Sequence, residues 1–199
     1  MQWRIPGTVL EISRQEADRV HERFSAMFMA GGIALGQVCS ITGLEPYTVQ
    51  NWVKRGFLSP PQQKRYSLRQ LCRIIIINML KGVLPMERIC GLLTYINGQL
   101  DDESDDMIDD SWLYFMFLRL AVRAKELDRA QQQETILEEV MAGYEEPVPG
   151  AKKQVQQVLR IMLLAYLAAR MQREAEKQLA EIESKEDNNE RKRNISLEA

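Results

Sequence analysis

One stretch, LGQVCSITGLEPYTVQNWVKRGFLSPPQQKRYS at residues 35–67, restricts the fold of this chain more than any other. Apolar residues fall at helical spacing on both sides of a Thr42-Gly43 turn: Leu35, Val38, Cys39, Leu44, Val49 and Trp52. Gly43 stands where the bend requires a positive φ, which glycine adopts without steric cost. Pro46 suits the first turn of the second helix, because its missing N–H would have no partner there. The stretch therefore predicts two short helices joined by a tight turn.

A short hairpin is expected after the second helix. Gly56 ends that helix, Pro60-Pro61 prevents a further one, and residues 64–66 have the composition of a return strand. This layout is typical of a winged helix-turn-helix, a unit that places its second helix in the DNA major groove. We therefore predict a recognition helix at residues 46–55 and a wing at residues 57–66.

Polar side chains occupy the face of the second helix that the apolar stripe leaves open. Hydroxyls, amides and cations are the groups that read base edges and phosphates. Residues 32–84 contain seven cations and one acid, Glu45, a local net charge of +6 in a chain of net charge -2. The alternative is a solvated cationic face on a protein-binding module. The predicted DNA-contacting residues are Tyr47, Thr48, Gln50, Asn51, Lys54, Arg55, Lys64, Arg65 and Tyr66.

The order of elements over residues 33–97 carries a family resemblance. LGQVCSITGLEPYTVQNWVKRGFLSP is followed by RYS, a long apolar helix and LPMERICGLL. This order resembles the DNA-binding domain of MerR-type transcription regulators, and also an uncharacterised family of bacterial, mainly Firmicute, proteins that carry a MerR-like domain. The resemblance implies that helix 46–55 enters the major groove, that the wing contacts the flanking backbone, and that later helices dimerise. Gln50, Asn51 and Trp52 look like the positions where these regulators commonly carry an arginine and two tyrosines.

The expected fold is all-α in the main, a MerR-like winged helix-turn-helix with a small β-wing and a C-terminal helical region. A capping box at Ser13 and Glu16 opens a helix from Arg14 to Met29, and another at Ser67 opens a buried helix reaching Lys81. The predicted segments are an N-terminal helical arm (1–32), the MerR-like domain (33–97), an acidic linker (98–111), a helical dimerisation or effector region (112–183) and a disordered tail (184–199).

Residues 101–110 contain seven acidic residues. A calcium-binding loop is one interpretation, but the sixth position has no glycine and Trp112 stands at the twelfth, where a glutamate is required. A DNA-mimicking, autoinhibitory strip is a second interpretation. The interpretation we favour is a solvated linker whose last acids stabilise the N-terminus of the next helix, capped by Asp110 or Ser111.

The region after the acids is very apolar. Residues 112–141 and 152–182 carry helical apolar patterns, separated by a break at residues 143–150. Two helices cannot hide so much apolar surface, so it must pack on the first module, on a second copy or around a ligand. We favour a homodimer. A small-molecule effector is possible, but the Met and aromatic stripe at residues 112–117 is more typical of core.

The residue inventory argues against catalysis. His21 is the only histidine, no glycine-rich loop is present to cradle phosphates, and no spacing suits a metal, so we expect neither an enzyme nor a cofactor or metal site. Cys39, Cys72 and Cys90 are expected to be reduced thiols of a cytoplasmic protein, and no apolar run is long enough for a membrane span. The prediction is a dimeric transcription regulator that binds double-stranded DNA, or alternatively a protein-interaction adaptor that does not.

Overall fold

The computed structural model describes residues 2–29, 31–100, 102, 104–123 and 130–197, without the side chains of Asp18, residues 130–133 and residues 185–197. The described part is mainly helical, as predicted. It forms two compact units, residues 1–166 and residues 167–199. No helix in these ranges is both long and apolar enough to cross a membrane.

The predicted helical arm at residues 1–32 contains a helix, but it begins with a β-hairpin that the sequence did not indicate. The N-terminal elements are β1 (Gln2–Arg4), β2 (Glu11–Ser13), a 3-10 helix (Arg14–Arg19) and α1 (Val20–Phe28). The strands are antiparallel, with Trp3 opposite Ile12. The Ser13 N–H donates to Glu16 Oε2 at 3.3 Å, which confirms this part of the capping box, but it opens the 3-10 helix and not one continuous α-helix.

The middle of the chain contains the predicted pair of short helices. Its elements are β3 (Ile33–Ala34), α2 (Leu35–Thr42), α3 (Pro46–Lys54), β4 (Arg65–Tyr66), α4 (Leu68–Leu80) and α5 (Met86–Asn97). Gly43 follows α2 with φ +71°, as predicted, and a Cβ there would lie 2.6 Å from Val9 Cγ1. Ser67 and Gln70 form the predicted capping box at the start of α4, with bonds of 2.9 and 3.1 Å.

The centre of the core is α4. Its residues 71–77 are buried on every side, as its nearly continuous apolar sequence predicts. Asn78 Nδ2 donates to the carbonyl oxygens of Gly7 at 2.9 Å and Thr42 at 3.0 Å, so α4 connects the loop of the first hairpin to the turn after α2. Tyr114 Oη donates to the Pro6 carbonyl at 2.7 Å. The N-terminal hairpin is therefore part of the same core.

The C-terminal elements are α6 (Asp110–Val122), α7 (Ala130–Val140) and α8 (Ala151–Leu197). The cap of α6 is Asp109, one residue before the predicted Asp110 or Ser111, and it accepts from the Ser111 N–H at 2.8 Å. Leu127, expected in a helix, lies outside the described residues, as do Asp101 and Glu103. The backbone of α8 is helical to Leu197, while the side chains after Ser184 are not described, so the disordered tail stays a prediction.

Candidate nucleic-acid interface

Helix α3 is held by one buried face. Val49 is fully buried and Trp52 is 4% exposed. The end of the helix is closed by two backbone bonds, from the Gly56 N–H to the Val53 carbonyl at 3.0 Å and from the Phe57 N–H to the Trp52 carbonyl at 2.9 Å. Such paired bonds around a glycine satisfy the last carbonyl groups of a helix. The orientation of α3 is thus determined by core packing at its middle and by a defined turn at its end.

The opposite face of α3 is polar and open. Tyr47 is 76% exposed, Gln50 and Lys54 are exposed, and Asn51 is half-buried. These four positions follow the i, i+3, i+4, i+7 spacing that puts side chains on one helix face. Thr48, also half-buried, lies beside them. The structure therefore places five of the predicted contact residues on α3, four of them on a single face.

Arg55, just after α3, is partly engaged. Its guanidinium lies 4.5 Å from the centroid of the Phe57 ring, and its Nη2 lies 3.5 Å from Glu87 Oε1. Both charged side chains are at least half exposed, and an exposed pair of this kind contributes about 0–1 kcal/mol. Arg55 thus keeps its capacity to bind a phosphate, with its orientation guided by the aromatic ring.

The hairpin after α3 is very small. Ile33 of β3 pairs with Tyr66 of β4, and a further bridge joins Gln62 to Arg65. Gln63 and Lys64 at the tip have φ of 49° and 64°. Two consecutive positive φ values are typical of the two-residue turns that match the twist of a hairpin. Lys64 is exposed there and has no ion-pair partner in the described part of the chain.

Arg65 and Tyr66 point to opposite sides of β4. Arg65 is exposed, and its Nη1 donates to the Gly32 carbonyl at 2.9 Å. Tyr66 is only 3% exposed, and burial raises the pKa of its hydroxyl. Its prediction as a DNA-contacting residue is therefore wrong. The alternation of side chains along a strand, with a period of two residues, is the signal that separates it from Arg65.

Two of the seven cations behind the local charge of +6 are neutralised inside the protein. Arg69 Nη2 lies 2.6 Å from Asp106 Oδ2, and Arg73 Nη1 lies 3.1 Å from Asp110 Oδ2. Both arginines are on α4, and both acids belong to the segment predicted as a solvated linker. The cations that remain for a nucleic-acid surface are Lys54, Arg55, Lys64, Arg65 and Lys81.

The buried pair of Arg73 and Asp110 is part of a small polar network. Asp110 is 1% exposed, and its Oδ1 accepts from Asn97 Nδ2 at 2.9 Å. Arg73 Nε donates to the Phe57 carbonyl at 3.1 Å. Burial raises the pKa of Asp110, although Arg73 acts in the opposite direction. The interpretation of the acidic segment as a solvated linker is therefore wrong at Asp106 and Asp110, which attach it to α4.

Asp106 gives this segment a predicted pH response. Burial raises the pKa of its carboxyl from 3.8 to about 6, against the attraction of Arg69. A native state that holds the proton more tightly is favoured below the ordinary pKa and loses that stability as the pH rises through about 6. The side chain is 9% exposed and its charge still interacts with Arg69, so we expect a loss of about 1 kcal/mol or more between pH 4 and pH 7.

The measurement is urea denaturation of the wild-type protein and an Asp106→Asn variant at several pH values. The difference between their free energies of unfolding should fall by that amount as the pH rises from about 4 to 7. A difference that instead grows with pH would mean that the attraction of Arg69 dominates.

An open cleft of about 650 Å³ lies beside the hairpin, lined by residues of α1, the hairpin and the start of α4. Several of its polar side chains already have partners in the chain. Gln70 Nε2 donates to the carbonyl oxygens of Ser59 and Pro60, both at 3.0 Å, and Arg73 is paired with Asp110. The cleft thus presents no specific signal for a small-molecule effector. The described residues contain no cluster of three or more potential metal ligands.

Comparisons with known proteins correct the family assignment. The model of a family described as "Domain of unknown function (DUF1836)" matches residues 34–117, from β3 into α6. The chain is 26% identical over 162 residues to "Uncharacterized protein YkrK" of Bacillus subtilis (strain 168), a match that covers 75% of this chain and 70% of the relative. No solved structure matches.

No MerR-type or helix-turn-helix family matches, so the predicted MerR membership is wrong. The chain is similar instead to an uncharacterised bacterial protein and, over residues 34–117, to a domain family without an assigned function.

Proposed function

We propose that this protein is a DNA-binding transcription regulator that places α3 in the major groove and the hairpin at residues 57–66 on the flanking backbone. One observation carries the proposal. Tyr47, Gln50, Asn51 and Lys54 form a polar face on a short helix whose other face is buried. A helix presented in this way, directly after another helix and a tight turn, has the layout with which helix-turn-helix proteins read DNA.

The exposed groups suit the two kinds of DNA contact. The amides of Gln50 and Asn51 can each bond two atoms of an adenine edge. Lys54 and Arg55 at the end of α3, and Lys64 and Arg65 in the hairpin, supply the positive charges for the proposed phosphate contacts. Each neutralised phosphate contributes about 0.9 to the slope of log affinity against log salt. Four such contacts give a slope of about 3 to 4.

The test is fluorescence anisotropy of the full-length protein with random duplex DNA. We expect binding that weakens steeply between about 50 and 200 mM salt, as phosphate contacts require. Replacing Lys54 and Lys64 together by alanine should weaken binding about tenfold or more and reduce the slope by about 2, because two counterion-releasing contacts are lost. Lys152→Ala with Lys153→Ala, at two exposed positions of α8, removes the same charge, is the matched control and should change neither quantity.

Absence of binding at the lowest salt would contradict the proposal. Equal losses in the Lys152→Ala, Lys153→Ala control and in the Lys54→Ala, Lys64→Ala variant would contradict it too, since binding would then depend only on total charge. Selection of bound duplexes from a random pool extends the test. Gln50→Ala or Asn51→Ala should change the selected sequence, whereas the lysine variants should weaken all sequences alike.

A protein-interaction adaptor remains the second candidate. The observation that favours it is the exposure of large apolar side chains away from α3. Trp112 on α6 is 58% exposed and Met29 after α1 is 88% exposed. Exposed aromatic and Met side chains are enriched at protein interfaces. If this candidate is correct, a pull-down from nuclease-treated lysate recovers one defined protein, and Trp112→Ala abolishes its recovery.

Transcription regulators of this layout commonly act as dimers that read paired half-sites. A homodimer formed through the C-terminal helices is therefore part of the proposal.

A further inference from the structure

Four side chains share one face of α3, and we call them the α3 face: Tyr47, Gln50, Asn51 and Lys54. An α-helix turns by about 100° per residue, so these residues fall within a sector of about 100°. The centre of that sector lies opposite the buried pair of Val49 and Trp52. The α3 face is therefore presented outward by the same packing that holds the helix.

The order of residues along the α3 face decides which of them can meet bases. Recognition helices contact base edges with their N-terminal residues. Tyr47, Gln50 and Asn51 lie in the first two turns of α3, whereas Lys54 is its last residue. Lys54 therefore belongs with the backbone contacts, and the other three residues are the ones that meet the bases.

Gln50 and Asn51 carry the groups that recognise adenine. A side-chain amide accepts through its oxygen and donates through its nitrogen, which matches N6 and N7 of adenine with two bonds. Within the residues that the structure describes, no hydrogen bond engages either side-chain amide. The two side chains lie about 50° to either side of the line from Tyr47 to Lys54, so they face different base pairs.

Tyr47 and Thr48 supply apolar surface beside these amides. The side chain of Tyr47 is 76% exposed, and Thr48 is half-buried at the next position. Thymine alone carries a methyl group in the major groove, and threonine methyl groups and aromatic rings contact it. Because thymine pairs with adenine, the apolar groups and the amides favour the same base pair.

Guanine has no matching reader in the first two turns of α3. The commonest reader of guanine is an arginine or lysine that bonds O6 and N7. The nearest arginine, Arg55, follows α3. Its guanidinium lies 4.5 Å from the centroid of the Phe57 ring, and its Nη2 lies 3.5 Å from Glu87 Oε1. These contacts direct Arg55 toward the hairpin and α5 instead of toward the bases.

The turn before α3 is tied to two distant segments. The Val9 N–H donates to the Ile41 carbonyl at 2.9 Å, and Asn78 Nδ2 donates to the Thr42 carbonyl at 3.0 Å. Paired bonds between two planar groups tolerate only small displacements, so rigidly held side chains discriminate best between bases. These bonds fix the end of α3 from which the bases are read.

We propose that the α3 face selects A·T base pairs: Gln50 and Asn51 each bond N6 and N7 of an adenine, and Tyr47 contacts the methyl group of a thymine. The inference deepens the proposed function, because it names the base pairs that the same surface reads, and it rests on that function. DNA binding as such depends on phosphates and salt, whereas this selection depends on atoms of the bases. The selection can therefore fail while DNA binding holds.

The first experiment selects bound duplexes from a random pool with the full-length protein. We expect A·T pairs at the positions that the protein fixes. Exchange of one such pair for G·C should weaken binding at least about fivefold, because one bidentate contact discriminates by that much. Gln50→Ala and Asn51→Ala should each remove the preference at one position. Gln157→Ala, which removes an exposed amide of α8, is the matched control and should leave the selected sequence unchanged.

The second experiment tests individual atoms of the bases by fluorescence anisotropy. The selected duplex is resynthesised with 7-deazaadenine, which lacks the N7 acceptor, or with uracil, which lacks the methyl group of thymine. Each replacement at a contacted position should weaken binding by the wild-type protein about threefold, because one hydrogen bond or one apolar contact is lost. Gln50→Ala should be insensitive to 7-deazaadenine at its own position, and 7-deazaguanine should change nothing.

The results separate the inference from the proposed function. Salt-dependent binding without a preference between A·T and G·C pairs overturns the inference alone. Selection of G·C pairs at the positions that depend on Gln50 or Asn51 overturns it as well, and so does unchanged binding of the 7-deazaadenine duplex. Absence of binding to any duplex at the lowest salt contradicts the proposed function and the inference with it. The modified duplexes are tested on the wild-type protein, so their result does not depend on the folding of a variant.

Discussion

Replacing Asp110 by alanine is expected to lower the free energy of unfolding by about 3–5 kcal/mol. The change leaves Arg73, which is 5% exposed, buried beside no carboxylate, and it removes the acceptor of Asn97 Nδ2. The loss is large because a buried charge without its counterion keeps its full desolvation cost. Urea denaturation at neutral pH, followed by circular dichroism, measures it.

Asp109→Ala is the matched control for this prediction. Asp109 is the adjacent acid, which caps α6 by accepting from the Ser111 N–H at 2.8 Å and lies 3.8 Å from Arg69 Nε at a partly exposed position. Loss of such a cap typically costs about 1 kcal/mol. If Asp110→Ala and Asp109→Ala lowered the free energy of unfolding equally, the buried pair of Arg73 and Asp110 would not be the cause. The loss of one negative charge from the acidic segment would then explain both results.

Replacing Gly7 by alanine is expected to lower the free energy of unfolding by about 3 kcal/mol. Gly7 has φ +75°, and a Cβ there would lie 2.7 Å from Ile75 Cγ2 and closer still to the Ile75 carbonyl oxygen. The left-handed conformation costs an L-residue about 1–2 kcal/mol, and overpacking against a rigid core adds about 1–3 kcal/mol. Ile75 lies in the middle of buried α4 and cannot move away cheaply. Thermal and urea denaturation measure the change.

Gly91→Ala controls for the substitution itself. Gly91 lies inside α5, is exposed, and has nothing within 4 Å of its added Cβ. Alanine is the better helix former, so we expect stabilisation by about 0.5–1 kcal/mol. If Gly7→Ala and Gly91→Ala changed the free energy of unfolding in the same direction, the result would contradict the close packing of the first hairpin against α4.

The helix pair and its turn could be predicted because their signals are local. A positive φ at Gly43, a proline in the first turn of α3 and a capping box at Ser67 each act within one turn of helix. Such signals depend on neighbouring residues only, so they can be recognised in the sequence alone. The exposure of Tyr47 and Gln50 opposite buried Val49 and Trp52 follows from the same periodicity.

The N-terminal hairpin could not be predicted in this way. Its strands are three residues each, too short for an alternating pattern to be distinguished from irregular sequence. What holds it is distant in the chain: Asn78 donates to the Gly7 carbonyl, and Tyr114 donates to the Pro6 carbonyl. Long-range bonds of this kind leave no mark on local composition.

The ion pairs of the acidic segment could not be predicted from the sequence either. A run of acids in sequence is most often solvated, and nothing near Asp106 or Asp110 in the chain indicates a cation. Their partners, Arg69 and Arg73, are about 37 residues earlier on α4. Counting these arginines toward a cationic DNA surface was wrong for that reason. The family assignment was wrong as well, because an order of helices and turns is shared by unrelated families.

The sequence by itself determined that this protein is mainly helical, that two short helices meet at Gly43, and that α3 keeps a polar face. These properties follow from apolar periodicity and from backbone preferences that act between neighbours. The tertiary structure alone decided which charges remain at the surface, that Tyr66 belongs to the core, and that the acidic segment is attached to α4. Burial and ion pairing depend on which distant residues the fold brings together, and those contacts are specified by the packing of the whole unit.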